Sequence, residues 1–107
     1  MVVNFELNGR KFMGLNGGPV FKFNEAVSFV VDCETQDEID HYWERLTEGG
    51  EEGRCGWLKD RYGVSWQIVP AILPLLMGDP EKGPKVVQAF MQMKKFDIAA
   101  LISAVND

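Results

Sequence analysis

Histidine occurs once in this chain and cysteine twice, and neither type is spaced as a metal centre or a catalytic pair requires. Cys33 and Cys55 form no CxxC and no Cys/His ligand pattern, so they read as two reduced thiols. His41 stands between Asp40 and Tyr42 with no second imidazole in the chain, which leaves a solvated helix position rather than a zinc ligand or a general base. Basic residues are outnumbered, 11 Lys and Arg against 16 Asp and Glu for a formal charge of −5, and no basic cluster interleaves with aromatics. A nucleic-acid partner is therefore excluded. Long apolar runs are missing too. The stretches Val27 to Val31 and Ala71 to Met77 fall far short of the roughly 20 residues that span a bilayer. The opening Met1 to Glu6 has no basic n-region, apolar h-region or small-residue cleavage site, so a cytoplasmic protein without a membrane partner is expected.

Motifs of group transfer are likewise absent. Ser28, Ser65 and Ser103 have no GxSxG elbow, and the Asn16-Gly17-Gly18-Pro19 run lacks the GxGxxG spacing and the strand-to-helix setting that hold a phosphate. No glycine-rich turn with a downstream acid suits an adenosyl cofactor, and no cofactor is expected. The acidic run of Glu48, Glu51 and Glu52 beside Gly49-Gly50 reads as a solvated turn, and Trp57 and Trp66 read as hairpin core.

What the chain does have is an ordinary globular balance, 46% apolar and 25% charged, over a length of 107 residues that suits one core. Val3, Phe5 and Leu7 alternate with polar residues up to Asn8-Gly9, the signal of a type I′ turn, which sets Phe5 opposite Phe12 and Glu6 opposite Lys11. A Gly/Pro loop follows through Phe23. Ala26 to Cys33 then alternates as a strand, with Val27, Phe29, Val31 and Cys33 on the greasier face expected to meet a helix. That helix is announced by Thr35 with Glu38 three residues on, and Gly49-Gly50 close it. Cys55 to Asp60 and Val64 to Val69 read as a second hairpin around Arg61-Tyr62-Gly63, with Pro70 ending its last strand. Beyond lie a short apolar segment at Ile72 to Met77, a stripe of Val86, Val87, Phe90 and Met91, and a last helix capped by Asp97. The class is α+β.

Four segments, Phe12 to Pro19, Glu48 to Gly50 with Cys55 to Asp60, Gly63 to Pro70, and Met91 to Leu101, together resemble the PhnB-like family of the glyoxalase/bleomycin-resistance, or vicinal oxygen chelate, superfamily, whose members are often labelled 3-demethylubiquinone 3-methyltransferase. The resemblance spans the chain and implies one domain over 1–107. Within it, 1–25 would form a hairpin and loop, 26–70 a βαβββ module and 71–107 a helical tail. It also implies that the family's first strand, helix and next strand have no counterpart before Val2.

Metal enzymes of that superfamily carry ligands on inward strand positions. The positions that match here are Ala26, Gln67 and the neighbourhood of Asn16, without an imidazole or a carboxylate, so no metal is expected. The inward face would instead present Asn16, Ser28, Ser65 and Gln67, neutral donors and acceptors suited to orienting a small polar molecule. Metal-independent binding of such a molecule is the leading expectation. A metal-dependent lyase, isomerase or dioxygenase drawing ligands from a partner chain, the methyltransferase of the family label, and a purely structural module remain the alternatives. An interrupted strand order leaves an open edge at the N-terminal hairpin, so a two-fold homodimer is expected.

Overall fold

Asn8 and Gly9 both take positive φ, 51° and 81°, the pair that a type I′ turn demands and that asparagine and glycine tolerate best. In the computed structural model, which describes residues 1–106, this turn joins β1 (Val2–Leu7) to β2 (Arg10–Leu15). The antiparallel register places Phe5 against Phe12 and Glu6 against Lys11, and the two phenyl rings stack with centroids 5.6 Å apart.

The next strand starts later than its alternation suggests. The amide of Ala26 donates to Asn24 Oδ1 at 2.9 Å, which folds residues 24–27 into a turn, and β3 runs over Ser28–Cys33. Ala26 and Val27 consequently share no sheet face. Helix α1 (Gln36–Thr47) follows with Thr35 as N-cap, its Oγ1 accepting from the Glu38 amide at 3.2 Å. Glu38 reaches back to the amide of Glu34 at 3.2 Å, one residue before the cap, so the capping box closes one position early. Gly49, at φ 72°, turns the chain out of the helix.

Three short strands complete the module: β4 (Glu51–Glu52), β5 (Trp57–Lys59) and β6 (Ser65–Pro70). Cys55 and Gly56, expected to open β5, have φ 56° and 83° and lie outside it. Asp60 organises the β5–β6 turn, since Oδ1 accepts from the amides of Tyr62 and Val64 and Oδ2 from the Trp66 indole at 2.9 Å. The sheet order is β3-β6-β5-β4, with β3 parallel to β6 and the rest antiparallel. Strand, helix and three strands thus appear in the expected order.

The tail forms α2 (Leu73–Met77), α3 (Lys82–Phe90) and α4 (Ile98–Val105), the last capped by Asp97 Oδ1 accepting from the Ala100 amide at 3.1 Å. Gln36 ties the tail to α1, donating to the Phe96 carbonyl at 2.9 Å and accepting from the Ile98 amide at 2.8 Å. The core gathers where these helices meet one face of the sheet: Cys33, Leu58 and Ile68 from the strands, Ile39 and Trp43 from α1, and Val86, Phe96 and Leu101 from the tail, all buried. Of the four residues expected on the helix side of β3, Cys33 and Val31 meet this core, Phe29 shares their face and lies against Trp66 at 5.2 Å, and Val27 is exposed ahead of the strand. The hairpin is a separate two-stranded sheet, joined to the body through Phe12, whose ring meets Phe29 edge-on at 5.7 Å. The result is a mixed α+β chain with two sheets and four helices. None of the helices is long and apolar enough to cross a membrane.

Candidate functional site

Side chains alternate across a strand, so the register divides the four-stranded sheet into a covered and an open face. The covered face carries Leu58 and Ile68 under the helices. On the open face two rungs run across three strands. Ser28 of β3 pairs with Ser65 of β6, which pairs with Lys59 of β5; Val30 pairs with Gln67, which pairs with Trp57. Three of the four residues expected to line a site therefore share one face, and Gln67 Nε2 donates to Ser28 Oγ at 2.9 Å. Asn16 does not join them. It lies exposed just beyond β2, where its amide donates to the Met1 carbonyl at 3.0 Å.

Ser65 is the unusual member. It is 1% exposed, and its Oγ has no hydrogen-bond partner among the described residues. A buried hydroxyl left unpaired costs about 1–3 kcal/mol, so its oxygen is suited to a partner that enters from outside the chain. Two cavities meet at this residue. One, of about 390 Å³, is bounded by Glu25, Glu51, Arg54, Trp57, Lys59 and Ser65. The other, of about 350 Å³, lies between Ser65, Val64 and Phe29 and the loop residues Phe23, Asn24 and Val27. Ser28, Gln67 and Asn16 line neither.

The loop before β3 closes over Ser65 through an ion pair between Glu25 and Lys59. The hydrogen bond from Lys59 holds the Glu25 carboxyl below its ordinary value, and the same contact raises the Lys59 ammonium above its own. Lys59 is thus held cationic on the rung it shares with Ser65. The neighbouring wall is braced from below, where the Trp43 indole donates to Glu52 Oε1 at 2.8 Å. The first cavity therefore offers a neutral hydroxyl and an indole beside an ion pair. Among the described residues there is no group of three His, Cys, Asp or Glu placed to hold a metal ion.

Several residues bounding this site escaped the sequence reading, Trp57, Lys59 and Glu25 among them. Trp57, read as core, is half-buried on the open face, and its placement was available from the same alternation that sets Gln67 opposite Trp66. Glu25 carried no signal, because its role depends on where an irregular loop folds back.

Residues 1–69 match the family model described as 3-demethylubiquinone-9 3-methyltransferase, a span that takes in the hairpin, α1 and nearly all of the four-stranded sheet. Among solved structures, the PhnB protein from Bacillus cereus is 36% identical over 66% of this chain with a TM-score of 0.62. Protein PA1353 from Pseudomonas aeruginosa is 18% identical over 65% of the chain with a TM-score of 0.54, a likeness of fold alone. The chain spans 64% and 62% of the lengths of these two proteins. No curated protein gives a significant match.

Proposed function

The chain belongs to the 3-demethylubiquinone-9 3-methyltransferase family, and from that membership we propose a PhnB-like protein of the glyoxalase/bleomycin-resistance superfamily that binds a small polar molecule, without a metal, on the open face of its sheet. The observation that carries this reading is the Ser65 hydroxyl, buried, unpaired within the protein and shared by two cavities. Trp57 supplies an aromatic wall to the first cavity, and the Gln67–Ser28 pair lies on the same sheet face outside it. Such a site recognises a ligand that presents a polar group to Ser65 and an apolar edge to Trp57.

Thermal-shift screening of small polar metabolites against the wild type, followed by calorimetry on the compounds that stabilise it, tests the proposal. Ser65→Ala should weaken any such ligand about 5- to 150-fold, the equivalent of about 1–3 kcal/mol for a lost buried hydrogen bond. A ligand that binds S65A as tightly as the wild type would place the site elsewhere. The family's description also points to methyl transfer. Calorimetry with S-adenosylmethionine reads that directly, and micromolar binding would replace the metal-free sequestering role with an enzymatic one.

A further inference from the structure

Glu25 comes from the irregular loop ahead of β3, yet it forms part of the wall of the first cavity and pairs there with Lys59. Lys59 stands next to Ser65 in the strand register, and the same rung runs on to Glu51 on one side and Ser28 on the other. The loop that brings Glu25 in also supplies Phe23, Asn24 and Val27 to the second cavity, so residues 23–27 lie between the two spaces that reach Ser65. What holds this loop is slight. Asn24 bonds within the loop, to the Ala26 amide, and Phe23 and Val27 are 69% and 71% exposed. The side chains of Glu25 and Lys59 are themselves 57% and 40% exposed. An ion pair in that setting is weak and open to exchange with an incoming anion.

Charge decides what can take the place of Glu25. The first cavity is lined by Glu25, Glu51 and Glu52 against Arg54 and Lys59. Glu52 is engaged already, accepting from the Trp43 indole at 2.8 Å with the Lys94 ammonium 4.0 Å away. Arg54 makes no ion pair among the described residues. With Glu25 withdrawn, two acids face two bases, and one negative charge restores the balance the cavity has now; a second meets Glu51 and Glu52 with nothing to offset it. Ser65 completes the recognition. Its Oγ, buried and unpaired among the described residues, borders the same cavity one strand away from Lys59. Neighbouring strands lie about 4.8 Å apart, a separation that one carboxylate spans by giving one oxygen to the ammonium and the other to the hydroxyl.

We propose that Glu25 is a built-in stand-in for the ligand: the site takes a small monocarboxylate with a flat apolar body, which displaces Glu25 from Lys59 and moves the 23–27 loop aside. This rests on the binding role proposed for Ser65 and adds the charge of what binds there. The incoming carboxylate bridges Lys59 and Ser65, and its apolar body lies against Trp57. Glu25 thereby lowers the affinity for every such anion, since only the fraction of molecules with Lys59 released is competent to bind. A neutral ligand of the same shape breaks the ion pair and puts no charge in its place, so the site prefers a carboxylate over its amide.

NMR titration of the amide signals with benzoate, and with benzamide and inorganic phosphate for comparison at constant ionic strength, tests this. The wild type should bind benzoate more tightly than either of the others. Glu25→Gln, at a side chain exposed enough to leave the fold intact, should bind benzoate about tenfold more tightly than the wild type. Lys59→Met should weaken benzoate about tenfold and no longer distinguish it from benzamide. Benzoate that binds neither the wild type nor E25Q, or that E25Q binds no better than the wild type, overturns the proposal. Ser65→Ala separates its failure from failure of the site. A neutral ligand weakened by S65A but unaffected by E25Q and K59M would keep the site at Ser65 and refute the carboxylate alone, whereas benzoate held equally by S65A and the wild type would refute both.

Discussion

Alanine at Gly56 is expected to be among the costliest single-methyl changes in this protein, and the magnitude can be worked from its surroundings. Gly56 sits at φ 83°, where a side chain costs about 1–2 kcal/mol by itself. A Cβ built there would overlap the Phe96 ring and come within 2.9 Å of the Ile68 carbonyl oxygen. The backbone has little freedom to yield, because the Gly56 amide donates to the Lys94 carbonyl at 2.8 Å and its carbonyl accepts from the Ile68 amide at 2.9 Å. Overpacking against a held backbone adds about 1–3 kcal/mol, for a total of about 2–5 kcal/mol. Domains of this size are stable by about 5–15 kcal/mol, and each kcal/mol moves the midpoint by about 4–8 °C, so a drop of about 8–40 °C is expected. Gly9→Ala is the control, because Gly9 has the same sign of φ, 81°, and nothing within 4 Å of its Cβ position. Urea unfolding of both variants at one fixed protein concentration separates the two costs. If G56A and G9A agree within about 0.5 kcal/mol, the Phe96 ring does not close on Gly56 and the packing argument fails.

Other outcomes follow from single groups. Burial pushes the Cys33 thiol up to about 11 from 9.0, with Glu38 and Asp32 adding to it, so the unfolded chain ionises this thiol before the folded one does. Stability should fall as pH rises from about 9 and level off near 11, and a Cys33→Ala variant followed by urea unfolding should lose that part of the slope. The hydrogen bond from Lys95, with one from Gln36, holds the Asp40 carboxyl below its ordinary value. Its contribution is present above the normal carboxylate range and lost as pH falls through the depressed value, so the wild type and Lys95→Met should differ at pH ~6 and converge towards pH ~2. Removing three hydrogen bonds with Asp60→Ala should cost about 2 kcal/mol and shift tryptophan emission as the Trp66 indole loses its acceptor; unchanged emission and stability would show that the Asp60 turn does not hold β5 to β6.

Much of the framework was legible because it is written in short-range chemistry. Asn8-Gly9 specify a turn whose length sets the register, and the Phe5–Phe12 and Glu6–Lys11 pairs follow with no reference to the rest of the chain. Thr35 and Asp97 cap their helices by reaching amides three residues away, and both caps form. Alternation along β6 placed Ser65 and Gln67 together, and a pleated strand enforces that whatever surrounds it.

Tertiary structure decided the rest. The first residue of β3 depends on an Asn24 side chain that competes for the Ala26 amide, and Glu51–Glu52 is a strand only because β5 lies beside it. The left-handed Cys55-Gly56 corner exists because the carbonyls of Met93 and Lys94, nearly forty residues downstream, accept its amides. The site divides along the same line. Residue type and spacing by themselves determined that Ser65 and Gln67 would share one face of their strand, since period-two alternation is a property of the strand alone, whereas the β3–β6 register brought Ser28 beside them. That only Ser65 borders the cavities, that Lys59 closes over it with Glu25, and that Asn16 lies elsewhere were decided by how a hairpin, a loop and a sheet come to rest against one another. Those contacts join residues far apart in the chain, and no local preference encodes them.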